Sequence, residues 1–353
     1  MMTTIPDREK TKPLSIAELR DRLSAHHAPS TTMAFVLLLS DLVLFFLGQY
    51  LVLKTSSIAL QLLGGLLTTA AIIRLFIVGH DACHGSLTGS ARLNKIMGRI
   101  AFLPSLTPYS LWRVGHNVVH HGFNNLKGRD FVWQPLDQAE YESLSPSRQW
   151  LERVYRSAIG PLPYYLIEIW WRRLYFPKRD SAPGQRAEFT LDSLLVTGFA
   201  SLWIGWIIAL SAPMGILHTL LTLTVGALVP FLVWVWVVGF VVYLHHTNPD
   251  VVWYADKTTW MRDQGMLHGT VRYHVHAWWN ILLHNIMEHA AHHLDARIPL
   301  YRLKAAQAAL AAIVPDIPII ELSMRTYLDS VRVCKLYDYE KKVWTGFPRK
   351  VSA

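Results

Sequence analysis

Charged residues are scarce in this sequence: Asp, Glu, Lys and Arg make up 17% of its 353 residues, against about a quarter in an average soluble domain. With 52% hydrophobic residues and 14 tryptophans, that shortage argues against a soluble globular chain. Cysteine is nearly absent, with only Cys83 and Cys334 present. The first 30 residues are charged and polar with no apolar core before a cleavage site, which predicts no signal peptide. No internal repeat or low-complexity tract is visible. No Glu-x-x-His pair occurs, which removes the carboxylate-built metal sites of soluble helical bundles.

The apolar residues are instead clumped. Residues 33–53, 57–79, 194–212 and 217–244 are each about as long as a bilayer core requires of a helix. Asp41 and Arg74 are the only charges inside them, and Arg74 lies near an end, where snorkelling would carry it to the interface. Of the 34 Lys and Arg, all but Lys54 and Arg74 fall in the first 32 residues, in 80–190 or beyond 256. The hairpin tips "KTSS" and "SAPMG" are almost bare. This bias predicts that both termini and the 80–190 loop are cytoplasmic, so neither cysteine is placed for a disulfide. The formal charge of +9 is then the same bias plus attraction to anionic headgroups, and no nucleic acid partner is implied. The expected architecture is an all-α integral membrane protein. An arm (1–32) precedes a single domain (33–353) with four transmembrane helices and a helical cytoplasmic cap from 80–190 and 245–353. "PYYLIEIWWRRLYF" adds an amphipathic interfacial helix, and the "WW" pairs at 170–171 and 278–279 read as interfacial anchors.

Sixteen of the 17 histidines fall on the predicted cytoplasmic side, His26 and His27 in the arm and fourteen others from His80 onward; His218 lies near the outer end of the fourth span. "HDACH" sets His80 and His84 at i and i+4. "HNVVHH" sets His116, His120 and His121 at i, i+4 and i+5, and "HAAHH" sets His289, His292 and His293 at i, i+3 and i+4. On an α-helix each cluster can present two or three imidazoles from one face. Two hairpins deliver all three clusters to one side. Eight clustered histidines exceed what one zinc uses and suit two ions; imidazole-rich sites favour iron, copper, nickel or zinc, and a pair with open positions suits iron and dioxygen.

These clusters resemble the three histidine boxes of the membrane fatty acid desaturase superfamily. "HHGFNNLKGRDFVWQP", with Asn125, Asp130, Trp133 and Pro135 in register, "YLHHTNPDVVWY" and "HNIMEHAAHH" are similar to the acyl-lipid Δ12/ω3 branch of bacteria and plants. The resemblance runs from the first span to about residue 303. It implies a di-iron centre held by His80, His84, His116, His120, His121, His289, His292 and His293, with His246 as a further ligand. It places His284 as a ligand directly or through water, and His245 and Asn285 beside the ligands. Asp81 and Asp130 are expected to orient imidazoles by accepting from their distal N–H groups. His268, His274 and His276 are expected to take no part, and Cys83 to be a packing residue.

The resemblance further implies dioxygen as cosubstrate and an unactivated C–H bond of a fatty acyl chain as target, with an apolar tunnel leading to the metals. Desaturation is the leading expectation. Hydroxylation, oxidative decarboxylation to a terminal alkene, and carotenoid hydroxylation or ketolation remain open on the same fold, and a bacterial inner membrane is the expected setting. Outside that fold, "HDACH" is related in spacing to the H-E-x-x-H of zinc proteases, but Asp81 stands where the glutamate base would be. Neither a His-Pro-Gly-Gly signature of a fused cytochrome b5 nor a Gly-rich dinucleotide loop is present, so electrons are expected from an external, ferredoxin-like donor.

Overall fold

Apolar runs of this length can satisfy their backbone polar groups in lipid only as helices. The computed structural model describes residues 14–178, 183–314 and 319–348; the start of the arm, including Arg8, Lys10 and Lys12, lies outside the described residues. Among those described, four helices are long and apolar enough to cross a membrane: Thr31–Lys54, Ile58–His84, Arg186–Met214 and Ile216–His246. The second continues past the apolar run and carries the first histidine box to its end. It stops at Gly85, whose φ of +76° is a left-handed conformation that glycine adopts without a Cβ penalty. The fourth likewise carries His245 and His246 in its last turn.

The first two helices form a hairpin that crosses closely at glycine. A Cβ on Gly64 would lie 2.6 Å from the Gly48 carbonyl oxygen, an approach that small residues permit between apolar helices. Next to this crossing the buried Gln49 amide joins all four helices. Its Nε2 donates to Thr68 Oγ1 at 3.1 Å and to the Gly226 carbonyl at 2.8 Å, and its Oε1 accepts from Trp203 Nε1 at 2.8 Å. Gly226 lies in a π-helical segment, Thr224–Leu228, where the wider turn disturbs the regular ladder of the helix. Gln49→Leu removes all three bonds and should lower stability by about 1–2 kcal/mol. Thermal unfolding in detergent is the measurement.

Arg74 does not snorkel. Its Nε donates to Asp41 Oδ1 at 2.6 Å and its guanidinium also reaches the Ile281 carbonyl. The two charges within the apolar runs therefore pair with each other, since an isolated charge there would be costly.

The remaining described residues form short helices and two small sheets over one end of the bundle. Arg272–His274 pairs in parallel with Ile319–Glu321, and Leu336–Asp338 pairs antiparallel with Val343–Thr345. The described part of the arm packs on the third histidine box. Leu19 and Leu23 are fully buried, Arg20 Nε donates to the Leu294 carbonyl at 2.7 Å, and His27 Nε2 lies 2.8 Å from Asp295.

Candidate metal centre

The structure sorts the histidines into two groups. His80, His84, His116, His121 and His292 bring ligand nitrogens within 4.8 Å of one another, and so do His120, His246 and His293. His289 joins the edge of the second group, its Nε2 being 3.2 Å from His246 Nε2.

Helix geometry decides this sorting. In box one His80 and His84 lie at i and i+4 of an α-helix and enter the same group. In box three, on the α-helix His289–Leu294, His293 stays with His289 while His292 turns to the other group. Box two differs from the α-helical expectation: Val114–His120 is π-helical, and the His121 N–H donates to the His116 carbonyl at 2.8 Å. An i→i+5 turn aligns His116 with His121 and turns His120 away to the second group. The extra residue of "HNVVHH" relative to "HAAHH" is absorbed by the π-turn.

The donor set fits metal. His116 Nε2 lies 3.0 Å from His80 Nε2 and 3.1 Å from His121 Nε2, which is itself 3.1 Å from His292 Nε2. An imidazole nitrogen holds either a proton or one lone pair, so His116 and His121 cannot each satisfy two neighbours by ordinary hydrogen bonding. Imidazoles at right angles about an ion, with metal–nitrogen bonds near 2.1 Å, have nitrogens about 3.0 Å apart, against about 3.4 Å for tetrahedral ligands. Five imidazoles and this spacing suit a coordination number above the four of a structural zinc. His84 Nε2 and both nitrogens of His293 are buried without any hydrogen-bond partner. Burial first, then the neighbouring imidazoles, holds His116, His121, His289, His292 and His293 well below the usual histidine pKa, in the neutral form that binds metal.

Outer partners fix the rings. His80 Nδ1 lies 3.1 Å from Asp81 Oδ1, and Asp81 Oδ2 accepts from the Leu300 N–H at 2.5 Å. His120 Nδ1 is 3.1 Å from both oxygens of Asp130, which also accepts from the Asn125 and Val132 N–H groups, each at 3.0 Å. Asp81 and Asp130 thus each lie within hydrogen-bond reach of one box histidine. His246 Nδ1 is 2.9 Å from the Gly269 carbonyl and His245 Nδ1 3.1 Å from that of Val271, with the His245 ring stacked on His289 at 4.2 Å. The segment between the fourth long helix and box three thus supplies two backbone acceptors, a role that no side-chain pattern signals, while His268, His274 and His276 enter neither histidine group. Trp112 was also missed. It stacks on His116 at 4.0 Å, and the four-residue spacing of the two was the available clue.

His284 belongs elsewhere. Its Nε2 lies 2.7 Å from Asp41 Oδ2, so it completes the Asp41–Arg74 pair and is in neither histidine group. His284 and Asn285 both adopt left-handed backbone, with φ of 45° and 64°, in the turn between Ala277–Leu282 and the box-three helix. The Asn285 amide donates to the Leu300 carbonyl at 3.1 Å. The pair shapes this turn, which is why "HN" precedes the box. His274 is exposed and lies 2.8 Å from Glu321.

An apolar cavity opens beside the histidines. His80, His116, His120 and His289 face it from both groups; Phe76, Trp112, Tyr165, Ile169 and four valines of the fourth long helix form much of the rest of its wall. Val237 and Val238 precede His246 by nine and eight residues, so the cavity runs about 13 Å along that helix from the histidine layer. The lining of the Tyr165–Tyr175 helix, Tyr165, Ile169 and Leu174, is spaced by four and five residues because this segment is also π-helical.

Four apolar helices capped by a histidine-rich site that fits metal, beside an apolar cavity, define a membrane-type protein with a histidine-built candidate metal site. The fatty acid desaturase family model matches residues 56–323, and the chain belongs to that family. It is 32% identical over 245 residues to "Omega-6 fatty acid desaturase, chloroplastic" of Spinacia oleracea, covering 69% of this chain and 52% of that one. It is 30% identical to "sn-1 oleoyl-lipid 12-desaturase" of Arthrospira platensis, covering 67% and 64% respectively. Identity to "sn-1 acyl-lipid omega-3 desaturase (ferredoxin)" of Synechocystis is 29%, covering 72% and 69%. The chain spans about half to two-thirds of the length of most of these relatives.

Proposed function

We propose that this chain is a di-iron oxidoreductase that uses dioxygen and two external electrons to desaturate a fatty acyl chain. The observation that carries this reading is the apolar cavity walled at one end by histidines of both groups. His80, His84, His116, His121 and His292 would hold one iron, and His120, His246, His289 and His293 the other. Iron supplies the dioxygen chemistry that breaks an unactivated C–H bond. The protein's own contribution is positional. Valines and aromatic rings hold the hydrocarbon against the histidine layer and exclude water, while Asp81, Asp130 and the Gly269 carbonyl fix imidazole orientation.

The test is product analysis by mass spectrometry of the iron-loaded protein, with an electron-donor system and defined acyl substrates as free acids, thioesters and lipids. An olefin lighter than its substrate by two hydrogens is expected. Recovery only of an alcohol or of a shortened 1-alkene would refute desaturation. Metal analysis should return two irons per chain, and a single zinc would overturn the di-iron reading. Asp130→Asn loses the carboxylate acceptor on His120 and should weaken iron binding about 10–100-fold, read by iron retention against a chelator.

In this reading the histidine end of the bundle faces the cytoplasm, as the distribution of Lys and Arg indicates, and its basic surroundings steer an acidic ferredoxin-like donor. The relative from Synechocystis carries ferredoxin in its name. Donor-supported turnover should fall as salt rises; turnover indifferent to ionic strength would exclude such steering.

A further inference from the structure

An ion cluster lies among the apolar helices, and the function proposed above does not use it. Asp41, buried on Thr31–Lys54, engages a different partner with each carboxylate oxygen. Its Oδ1 accepts from Arg74 Nε at 2.6 Å, and its Oδ2 lies 2.7 Å from His284 Nε2. Arg74 also reaches the Ile281 carbonyl. Charges inside a bilayer are costly, and those that are kept there usually have a task. The surroundings of the cluster indicate which task. Among the described residues that line the apolar cavity, none belongs to the first long helix. Leu283 and Ile286, on either side of His284 in the chain, do line it, as do Phe76 and Ile77, just beyond Arg74. Asp41 and Arg74 thus grip the segment at His284 and Ile281, and that same segment forms part of the cavity wall.

The backbone at the grip is strained. His284 and Asn285 are consecutive left-handed residues, with φ of 45° and 64°. Asparagine tolerates this conformation, whereas a histidine held there needs support from its surroundings. Asp41 supplies it for His284, and the Leu300 carbonyl, 3.1 Å from the Asn285 amide, does so for Asn285. A hydrocarbon chain has no polar handle, so its depth in a bore is set by the shape of the wall, and a misplacement of about 1 Å is enough to change a reaction's outcome. We propose that Asp41 is a positioning residue for the substrate: through His284 it fixes how far Leu283 and Ile286 stand into the cavity, and so which carbon lies beside the histidines. This inference rests on the acyl-chain reading above and adds a determinant of where the double bond is placed.

The decisive variant is His284→Asn. It leaves the Asp41–Arg74 pair intact and accepts the left-handed backbone, so that only the tie is cut. Full-length, iron-loaded protein in detergent is incubated with stearic acids that carry a diazirine at different carbons of the tail. After photolysis, mass spectrometry quantifies label on the peptide containing Leu283 and Ile286 and on that containing Val237, Val238 and Val241. Each peptide should be labelled best by one probe. In His284→Asn that preference should fall about tenfold on the first peptide and persist on the valine peptide, with iron content as in the wild type. The charge-conserving Asp41→Glu should retain most of the preference. In turnover with an electron donor, the ratio of the main positional isomer of the olefin to its neighbours should fall by a similar factor in His284→Asn. An unchanged preference, an equal loss on both peptides, or an Asp41→Glu protein as indiscriminate as His284→Asn overturns the positioning role and leaves the acyl cavity standing. Loss of iron from His284→Asn also overturns it, by making His284 a ligand. Failure of every probe to label either peptide removes the cavity reading and the inference together. An alcohol or a shortened 1-alkene as product, with labelling as expected, refutes desaturation and leaves the positioning role intact.

Discussion

Deleting Ala290 should empty both metal groups, whereas deleting Val118 should empty neither. The two residues occupy matching places in boxes three and two, yet the helices around them differ. Box three is α-helical, and each residue there advances the helix by about 100°. Loss of Ala290 would swing His292 and His293 away from their present directions relative to His289, and each of those two serves a different group. Iron affinity should then fall well beyond the roughly 10–100-fold that outer partners contribute, with no turnover. Box two carries one residue more and absorbs it as a π-turn. Without Val118 the spacing becomes i, i+3 and i+4, that of box three, and an ordinary α-turn places His116 beside His121 with His120 turned aside. Val118 is 59% exposed, so its removal costs little packing. Iron analysis of the two purified deletion variants decides the matter. Loss of iron in the Val118 deletion would mean that the π-turn is needed in its own right.

Filling the cavity should abolish use of long chains while leaving the metals in place. Val238 lines the bore about 12 Å along the helix from His246. The added rings must occupy the space the distal hydrocarbon needs, and overpacking of this kind costs about 1–3 kcal/mol. Val238→Trp should therefore lower kcat/KM for the longest accepted chain by about 100-fold at the upper end of that range. Iron content should be unchanged and shorter chains spared. Equal loss across all chain lengths would place the hydrocarbon elsewhere.

Comparison of particular residues shows where sequence sufficed. The four long helices follow from runs of apolar residues whose length matches a bilayer, a local property, and the structure shifts their ends by up to eight residues. That shift matters at the second and fourth helices, which run on to bring His84 and His246 to the site. Box one was equally legible, because i and i+4 on an α-helix share a face whatever surrounds them. The pairing in box two was not. A π-turn is selected by what the helix packs against, and no residue type marks it.

His284 shows the same limit from the other side. The family resemblance placed it with the ligands, but its partner is Asp41, 243 residues away in sequence, and long-range pairing of this kind has no periodicity to betray it. The sequence by itself determined which side chains could bind metal and that two hairpins would return them to one face, since hydropathy and helical spacing are local. Only the tertiary structure decided how the histidines divide between two groups, which backbone carbonyls hold His245 and His246, and which side chains wall the apolar cavity. Those depend on distances between segments that touch only after the helices have packed.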